Sequence, residues 1–341
     1  MMGAAAELKD TSHTNHFSKR RFLWLMGIGT ALLTGGVIGV RQLSHPSLAP
    51  FSKLTTQTTA LPTSALRATF LGTATILFRD GSNQIMTDGF FSRPPRSKVF
   101  SQKLEPDIPE IQYSLGRAGI RSLDALFVAH SHYDHALDSA RVASITGSDL
   151  IGSESTANLA RAEYFPNLRI HAVQGGERFR YGRFDVTIFQ TPHSPDGRYP
   201  GEIDDNIKPP LPVNDYREGG NFSFLIQNRG HRILVVSSAN YSPGLFENVR
   251  VDDVFLSIGT LGRQSKEFSE KYWQEVVLQT RAKRVILIHW DDFMISLREP
   301  LKPFPPAFDS FTEAMQRIRK YADRDGVQIL LPQSFAPIVL D

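Results

Sequence analysis

From residue 66 onward, apolar side chains come in short bursts broken by Gly, Pro, Asn and Asp, with stretches of helical spacing between them. Bursts of roughly four to eight residues read as strands, and apolar positions recurring every three or four residues read as helices. Strands are expected over 66–71, 75–79 and 84–87, with Asp80-Gly81 as the turn between the second and third. Residues 92–107, which open with Ser92-Arg93-Pro94-Pro95, read as a loop near the mouth of a site, and 108–119 as a helix ended by Gly119. The run Ala125-Leu126-Phe127-Val128-Ala129 reads as a buried strand. Helices follow over 135–145 and 155–164, the second capped by Ser153 or Ser155, on either side of a short strand at 150–152.

Strands over 169–173, 177–179 and 184–190 lead into a loop, 194–220, that is rich in Pro, Gly and Asp. It is far longer than a connector requires, so it reads as a lid or binding loop, with Glu202, Asp204, Asp205, Tyr216, Arg217 and Glu218 as candidate substrate contacts. A hairpin, 222–227 and 231–236, turns at Asn228-Arg229-Gly230 and leaves His231 on the surface. Strand 254–258 is followed by helix 266–281, with Phe268, Tyr272, Val276 and Leu278 near its inner face. A strand beginning at Arg284 runs straight into His289; a loop over 300–306, a helix over 310–322 and a strand over 327–331 complete the chain. Strands alternating with helices indicate an α/β architecture, whose functional groups gather where strands end.

The first 60 residues are of a different kind. Lys19-Arg20-Arg21 precedes an uncharged apolar stretch, 22–40, in the order of a secretory signal. Ser18-Lys19-Arg20-Arg21-Phe22-Leu23 resembles a twin-arginine export signal in which Lys19-Arg20 stands in for the arginine pair. The stretch is about 19 residues long, enough to cross a bilayer if retained. Residues 44–64, rich in Ser, Thr and Pro, read as a linker. The expected division is therefore 1–60, an export signal or membrane anchor with its linker, and 61–341, a single folded domain. This places the protein across or in the cytoplasmic membrane, at the cell envelope, rather than in the cytoplasm.

The chemistry concentrates in His130-Ser131-His132-Tyr133-Asp134-His135, where the strand 125–129 ends. Side chains two apart on an extended segment point the same way, so His130 and His132 can converge on one ion. Asp134 and His135 fall where the chain turns into a helix and can face a second point nearby. Imidazole and carboxylate are ligands for zinc, and they also suit manganese or iron. His193, bracketed by prolines after strand 184–190, and His289 repeat the arrangement of a strand ending on histidine. The protein has no cysteine, so every donor must be nitrogen or oxygen, and disulfides and thiolate catalysis are excluded. Its net charge of +3 and the lack of a dense basic stripe argue against nucleic acid as a partner.

The H-x-H-x-D-H pattern after a buried strand resembles the metal motif of metallo-β-lactamase-fold hydrolases. Residues 68–78 (Ala-Thr-Phe-Leu-Gly-Thr-Ala-Thr-Ile-Leu-Phe) and 85–91 (Ile-Met-Thr-Asp-Gly-Phe-Phe) resemble the opening hairpins of one branch. That branch holds the phospholipase D acting on N-acyl-phosphatidylethanolamines and the ascorbate-6-phosphate lactonase. The resemblance, from residue 66 to the C-terminus, implies a four-layer αββα sandwich. It implies that His130, His132 and His193 hold one metal, and Asp134, His135 and His289 another. Asp88 reads either as a turn residue before Gly89 or, by the resemblance, as an acceptor beneath the metals that orients a ligand histidine. Asp291 and Asp292 either bond the His289 ring or begin a turn, and Tyr133 is a further candidate for supporting or substrate contact.

One departure stands out. Where the family places an aspartate that bridges two metals, this chain has Ser238, with Asn240 offering a neighbouring amide. A neutral hydroxyl is a poorer ligand for a dication, so weaker or unequal binding at one of two sites is expected. The cofactor expected is Zn2+, one ion or two, with Mn2+ or Fe as alternatives. A zinc-bound water has a pKa near about 7 and supplies hydroxide at neutral pH. The function implied is attack by that metal-bound hydroxide on an ester-type bond, with Asp134 as the catalytic carboxylate. A phosphodiester or phospholipid-like substrate is favoured over a lactone, and a non-catalytic metal-binding envelope protein is the alternative.

Overall fold

The computed structural model describes residues 41–55, 65–163, 165, 168–195 and 197–340. Its contacts divide the chain into two units, Met1–Ser44 and His45–Asp341, and every strand among the described residues lies in the second. The apolar stretch 22–40, expected to be an export signal or anchor, lies outside the described residues. Among the described residues no helix is long and apolar enough to cross a membrane.

The strands in chain order are β1 (Arg67–Phe70), β2 (Ile76–Arg79), β3 (Gln84–Thr87), β4 (Lys103–Leu104), β5 (Ala125–Phe127), β6 (Asp149–Gly152) and β7 (Ile170–Ala172). They continue with β8 (Arg178–Tyr181), β9 (Phe184–Gln190), β10 (Leu211–Pro212), β11 (Phe222–Asn228) and β12 (His231–Val236). The last are β13 (Asp253–Ser257), β14 (Arg284–Ile288), β15 (Gln328–Leu330) and β16 (Pro337–Val339). The α-helices described in the second unit are α1 (Arg96–Ser101), α2 (Ile108–Arg117), α3 (Tyr133–Ala136), α4 (Ser139–Thr146), α5 (Glu154–Glu163), α6 (Lys266–Trp273) and α7 (Phe311–Asp325).

Two seven-stranded sheets result, ordered β16-β1-β2-β3-β5-β6-β7 and β15-β14-β13-β12-β11-β9-β8. The period-2 alternation of the early strands explains the layering. Ile76, Phe78, Ile85 and Phe127 face the second sheet, whereas Leu77, Met86 and Leu126 face outward. Across the sheet interface Phe78 meets Phe255 edge-on at 5.4 Å, and Phe127 meets Phe224 at 5.7 Å. Outside the first sheet, Ile111 and Leu115 of α2 and Leu159 of α5 cover the outward apolar set. Tyr272 and Trp273 of α6 and Ile318 of α7 pack in the core of the second sheet. This is the expected αββα sandwich.

Strand direction places the site. β3, β5, β6 and β7 run parallel, as do β12, β13 and β14, and β9 shares their direction because both β9 and β12 pair antiparallel with β11. The residues after β3, β5, β9, β12 and β14 therefore emerge at one edge. The two sheets are tied there by the Phe222 N–H, which donates to the Ala129 carbonyl at 2.9 Å.

Several expectations are corrected. Residues 45–55 are not linker but part of the folded body. A 3-10 turn, Ala49–Leu54, buries Phe51 edge-on against Phe311 at 5.7 Å, His45 Nδ1 bonds the Pro303 carbonyl, and Thr55 bridges Leu331. Residues 96–101, read as loop, form α1, whose one buried side chain, Val99, gave too little periodicity to detect. The helix expected over 135–145 is two, α3 and α4, meeting at 137–138. After α6 the chain winds as a π-helix, Gln274–Leu278, which buries Val276 and Val277 and leaves Leu278 exposed. The edge strand β16 escaped notice because it is three residues long and begins with proline. The loop 194–220 is fastened, not free: Ile203 is buried, with its N–H on Ser155 Oγ and its carbonyl on Asn158 Nδ2. His231 is partly buried, bonded to Asp253 Oδ2 at 2.7 Å.

Candidate metal centre

Three imidazoles meet at the end of β5. The ring centroids of His130, His132 and His193 are 4.8, 4.7 and 4.8 Å apart, each pair nearly perpendicular. Burial, reinforced by the neighbouring imidazoles, pushes the His130 ring well below its ordinary pKa. Burial and His132 bring His193 down to about 3, and burial lowers His132 as well. All three are neutral bases at physiological pH, the form that ligates a cation. Two of their buried nitrogens, His130 Nδ1 and His132 Nε2, have no hydrogen-bond partner in the protein. Unpartnered buried polar atoms are costly, and a bound cation would satisfy them.

The second group forms beside it, with the His130 and His135 rings only 3.9 Å apart. His135 Nε2 lies 3.2 Å from His289 Nε2 and 3.6 Å from Asp134 Oδ2, and His289 Nε2 lies 3.4 Å from the same oxygen. In each group the potential ligand atoms fall within 4.8 Å of one another. Asp88 is buried against His135. Its Oδ2 accepts from the His135 Nδ1–H at 2.8 Å, and its Oδ1 accepts from the Ala129 N–H at 2.8 Å. That bond fixes the tautomer, so Nε2 presents its lone pair to the centre. Burial alone would depress His135, but Asp88 and Asp134 outweigh it and hold its pKa up. Conversely, burial would raise Asp134, and His135 and His289 outweigh it and hold the carboxyl below its usual range.

Glycines leave the rings their space. A Cβ at Gly259 would lie 2.7 Å from His289 Nδ1, and one at Gly197 would lie 2.5 Å from His193 Nδ1. Neither glycine was singled out from sequence as a site residue, because the ring it admits comes from elsewhere in the chain. Six donors, unpartnered nitrogens and ring-sized cradles together fit a pair of metal ions.

The supporting candidates divide. Asn240 is engaged by the loop: its Nδ2 donates to the His193 carbonyl at 2.6 Å and its Oδ1 accepts from the Tyr241 N–H. Ser238 Oγ accepts from the Ser194 N–H at 2.9 Å, so both residues hold the loop that carries His193. Asp291 does not bond the His289 ring; its Oδ1 accepts from the Thr73 N–H and its Oδ2 pairs with Arg93. Asp292 begins a turn, accepting from the Met294 N–H. Tyr133 is buried between Phe90 and Phe293, and its hydroxyl has no partner. Burial, with Asp134 adding to it, raises that hydroxyl well above its ordinary pKa, so it remains a donor.

Comparison with known proteins fits this arrangement. Residues 83–290, more than half the chain, match the model of the beta-lactamase superfamily domain. The chain belongs to the beta-lactamase superfamily. It has the metallo-β-lactamase fold. A UPF0173 metal-dependent hydrolase of an Exiguobacterium species is 24% identical over 251 residues, covering 71% of this chain and 92% of that protein. One from Carboxydothermus hydrogenoformans is 27% identical over 123 residues, 36% of this chain and 46% of that protein, so here the match spans less than half of the relative. The fold is similar to that of Igni18, a metallo hydrolase from Ignicoccus hospitalis (TM-score 0.51, 12% identity, 81% of this chain and 99% of that one). It is equally similar to yeast PDE1 (TM-score 0.51, 12% identity, 81% of this chain and 100% of that one).

In this superfamily member the two groups open onto a cavity of about 520 Å3. One wall is apolar, formed by Val99, Phe100, Phe293, Met294, Phe304 and Phe308, and Arg198 and Arg263 add positive charge. From the loop 194–220, Gly197, Arg198, Tyr199 and Val213 are among the residues that reach the cavity. The acidic residues named for that purpose do not reach it, and Tyr216 is buried with its hydroxyl toward the Leu104 carbonyl. The apolar wall went unnoticed in the sequence because its members are spread from α1 to the segment before α7, with no shared period.

Proposed function

We propose that this metallohydrolase cleaves an ester-type bond, with a phosphodiester or phospholipid-like substrate favoured over a lactone. The observation that carries the reading is the pair of convergent donor groups, His130/His132/His193 and Asp134/His135/His289, all of which but the fully buried His135 line one cavity. Zn2+ is the preferred ion for such nitrogen-rich sets, with Mn2+ or Fe as alternatives. A divalent ion, when bound, would acidify a water and polarise the carbonyl or phosphoryl oxygen on the centre under attack.

The chain's own residues supply the rest. Asp134 stands between His135 and His289 and is placed to orient a water and take its proton. The unpartnered Tyr133 hydroxyl is a donor for a substrate oxygen at the same edge of the cavity. Arg198 and Arg263 favour an anionic group, and the aromatic wall favours an apolar one. This amphiphilic lining and the opening hairpins support the phosphodiester side of the reading. Retention of residues 22–40 as an anchor would place the cavity near a lipid supply, and that localisation belongs to the same proposal.

Turnover of a bis-aryl phosphodiester against a panel of lactones, with Zn2+ or Mn2+ supplied, tests it. Ion-dependent phosphodiester cleavage, lost in His132→Ala, is expected. Metal retention without turnover of either class would instead favour the non-catalytic binder.

A further inference from the structure

We propose that the second divalent ion enters this site only together with an anionic oxygen ligand, so that ion and anion bind cooperatively. The inference rests on the reading that both donor groups take ions. Its basis is charge. Of the six donors five are imidazoles, which bring no negative charge, and Asp134 is the only carboxylate. Asp88 contributes indirectly, through His135. The other acid lining the cavity, Asp309, has its oxygens engaged by the Thr260 and Ser310 N–H groups.

Two dications bring four positive charges against the single negative donor, in a pocket that also holds Arg198 and Arg263. Repulsion between two dications is four times that between unit charges at the same separation. Ser238, which lines the cavity with His130, His132, Asp134, His193 and His289, has its Oγ occupied by the Ser194 N–H and carries no charge. The protein thus offers one ion a balanced set and leaves the second uncompensated. A tetrahedral oxyanion between the groups would supply the missing charge, and a phosphodiester substrate has that chemistry. By linkage, the anion must tighten the second ion by the factor by which that ion tightens the anion, about 5–150-fold for typical couplings.

The test is equilibrium dialysis of the metal-stripped full chain against Zn2+ at fixed free concentrations, with and without inorganic phosphate. Bound ions are counted by elemental analysis. One ion per chain without phosphate and two with it are expected, over a window of free Zn2+ at least about fivefold wide. Ser238→Asp, which keeps an acceptor for the Ser194 N–H, should take two ions without phosphate, whereas Ser238→Asn, which keeps the acceptor without the charge, should still need phosphate. Two ions at unchanged affinity without phosphate, one ion in both conditions, or a Ser238→Asp chain that still needs phosphate would overturn the coupling. No ion in either condition would defeat the metal reading itself, and the count tells the two failures apart.

Discussion

The backbone N–H of His289 donates to the carbonyl of Thr73 at 2.6 Å, joining the last ligand-bearing strand to the first hairpin. Both residues hold positive φ, 56° and 51°, conformations that cost free energy for non-glycine residues and persist only when the surroundings impose them. The surroundings here are Asp291 and Arg93. Asp291 Oδ1 accepts from the Thr73 N–H at 2.9 Å, and Arg93 Nη2 bonds both Asp291 Oδ2 and the Asp292 carbonyl. Both side chains are fully buried.

Removing one member of this pair strands the other's charge in the core. Asp291→Ala should lower the unfolding free energy by about 3–5 kcal/mol. The Arg93→Met/Asp291→Leu double variant should lose less than the sum of its two singles. Urea unfolding of all four chains checks this, and a loss under about 1 kcal/mol for Asp291→Ala would contradict the clamp.

The glycine cradles make a separable prediction. In Gly259→Ala the new methyl needs the space of the His289 ring, with His289 Nδ1 2.7 Å away, so the ring must move from Asp134 and His135. The variant should lose one ion while retaining that of the three-histidine group, with an unchanged far-UV spectrum. Gly197→Ala should do the reverse through His193. Full ion content in both variants would show that the rings tolerate displacement.

Much of this centre was legible before the fold was known, because its parts are local. His130 to His135 lie within six positions, and His193 and His289 each follow an apolar strand that announces itself. What stayed hidden depends on contacts across the chain. Asp291 meets Thr73 across 218 positions and Arg93 across 198, so its role could not be told from that of a turn former. Ser238 was legible as a lost charge but not as the acceptor that holds Ser194. Phe51 lay in a polar stretch whose composition concealed its docking on Phe311.

Acid sensitivity is expected from a residue remote from the metals. Asp80, in the turn between β2 and β3, is fully buried and accepts from Arg183 Nε at 2.7 Å, Asn228 Nδ2 at 2.9 Å and the Asn83 N–H at 2.9 Å. Burial would raise its pKa, but these donors outweigh it and hold the carboxyl well below the usual range. A folded pKa below the unfolded value of about 3.9 stabilises the protein above that pH, and the contribution fades as pH falls toward the folded value. Asp80→Asn should therefore cost about 2 kcal/mol near neutral pH, and the deficit should shrink below about pH 4. Urea midpoints of both chains across that range check the sign; a deficit that grows in acid would refute it.

The most direct measurement is the zinc content of the full chain, saturated with Zn2+ in the presence of phosphate, beside His132→Ala, His289→Ala and their combination. The account predicts two ions in the parent chain, one in each single variant and none in the double. A double variant that binds as much zinc as the parent would contradict it, because the six gathered side chains would then not be where the metal is held.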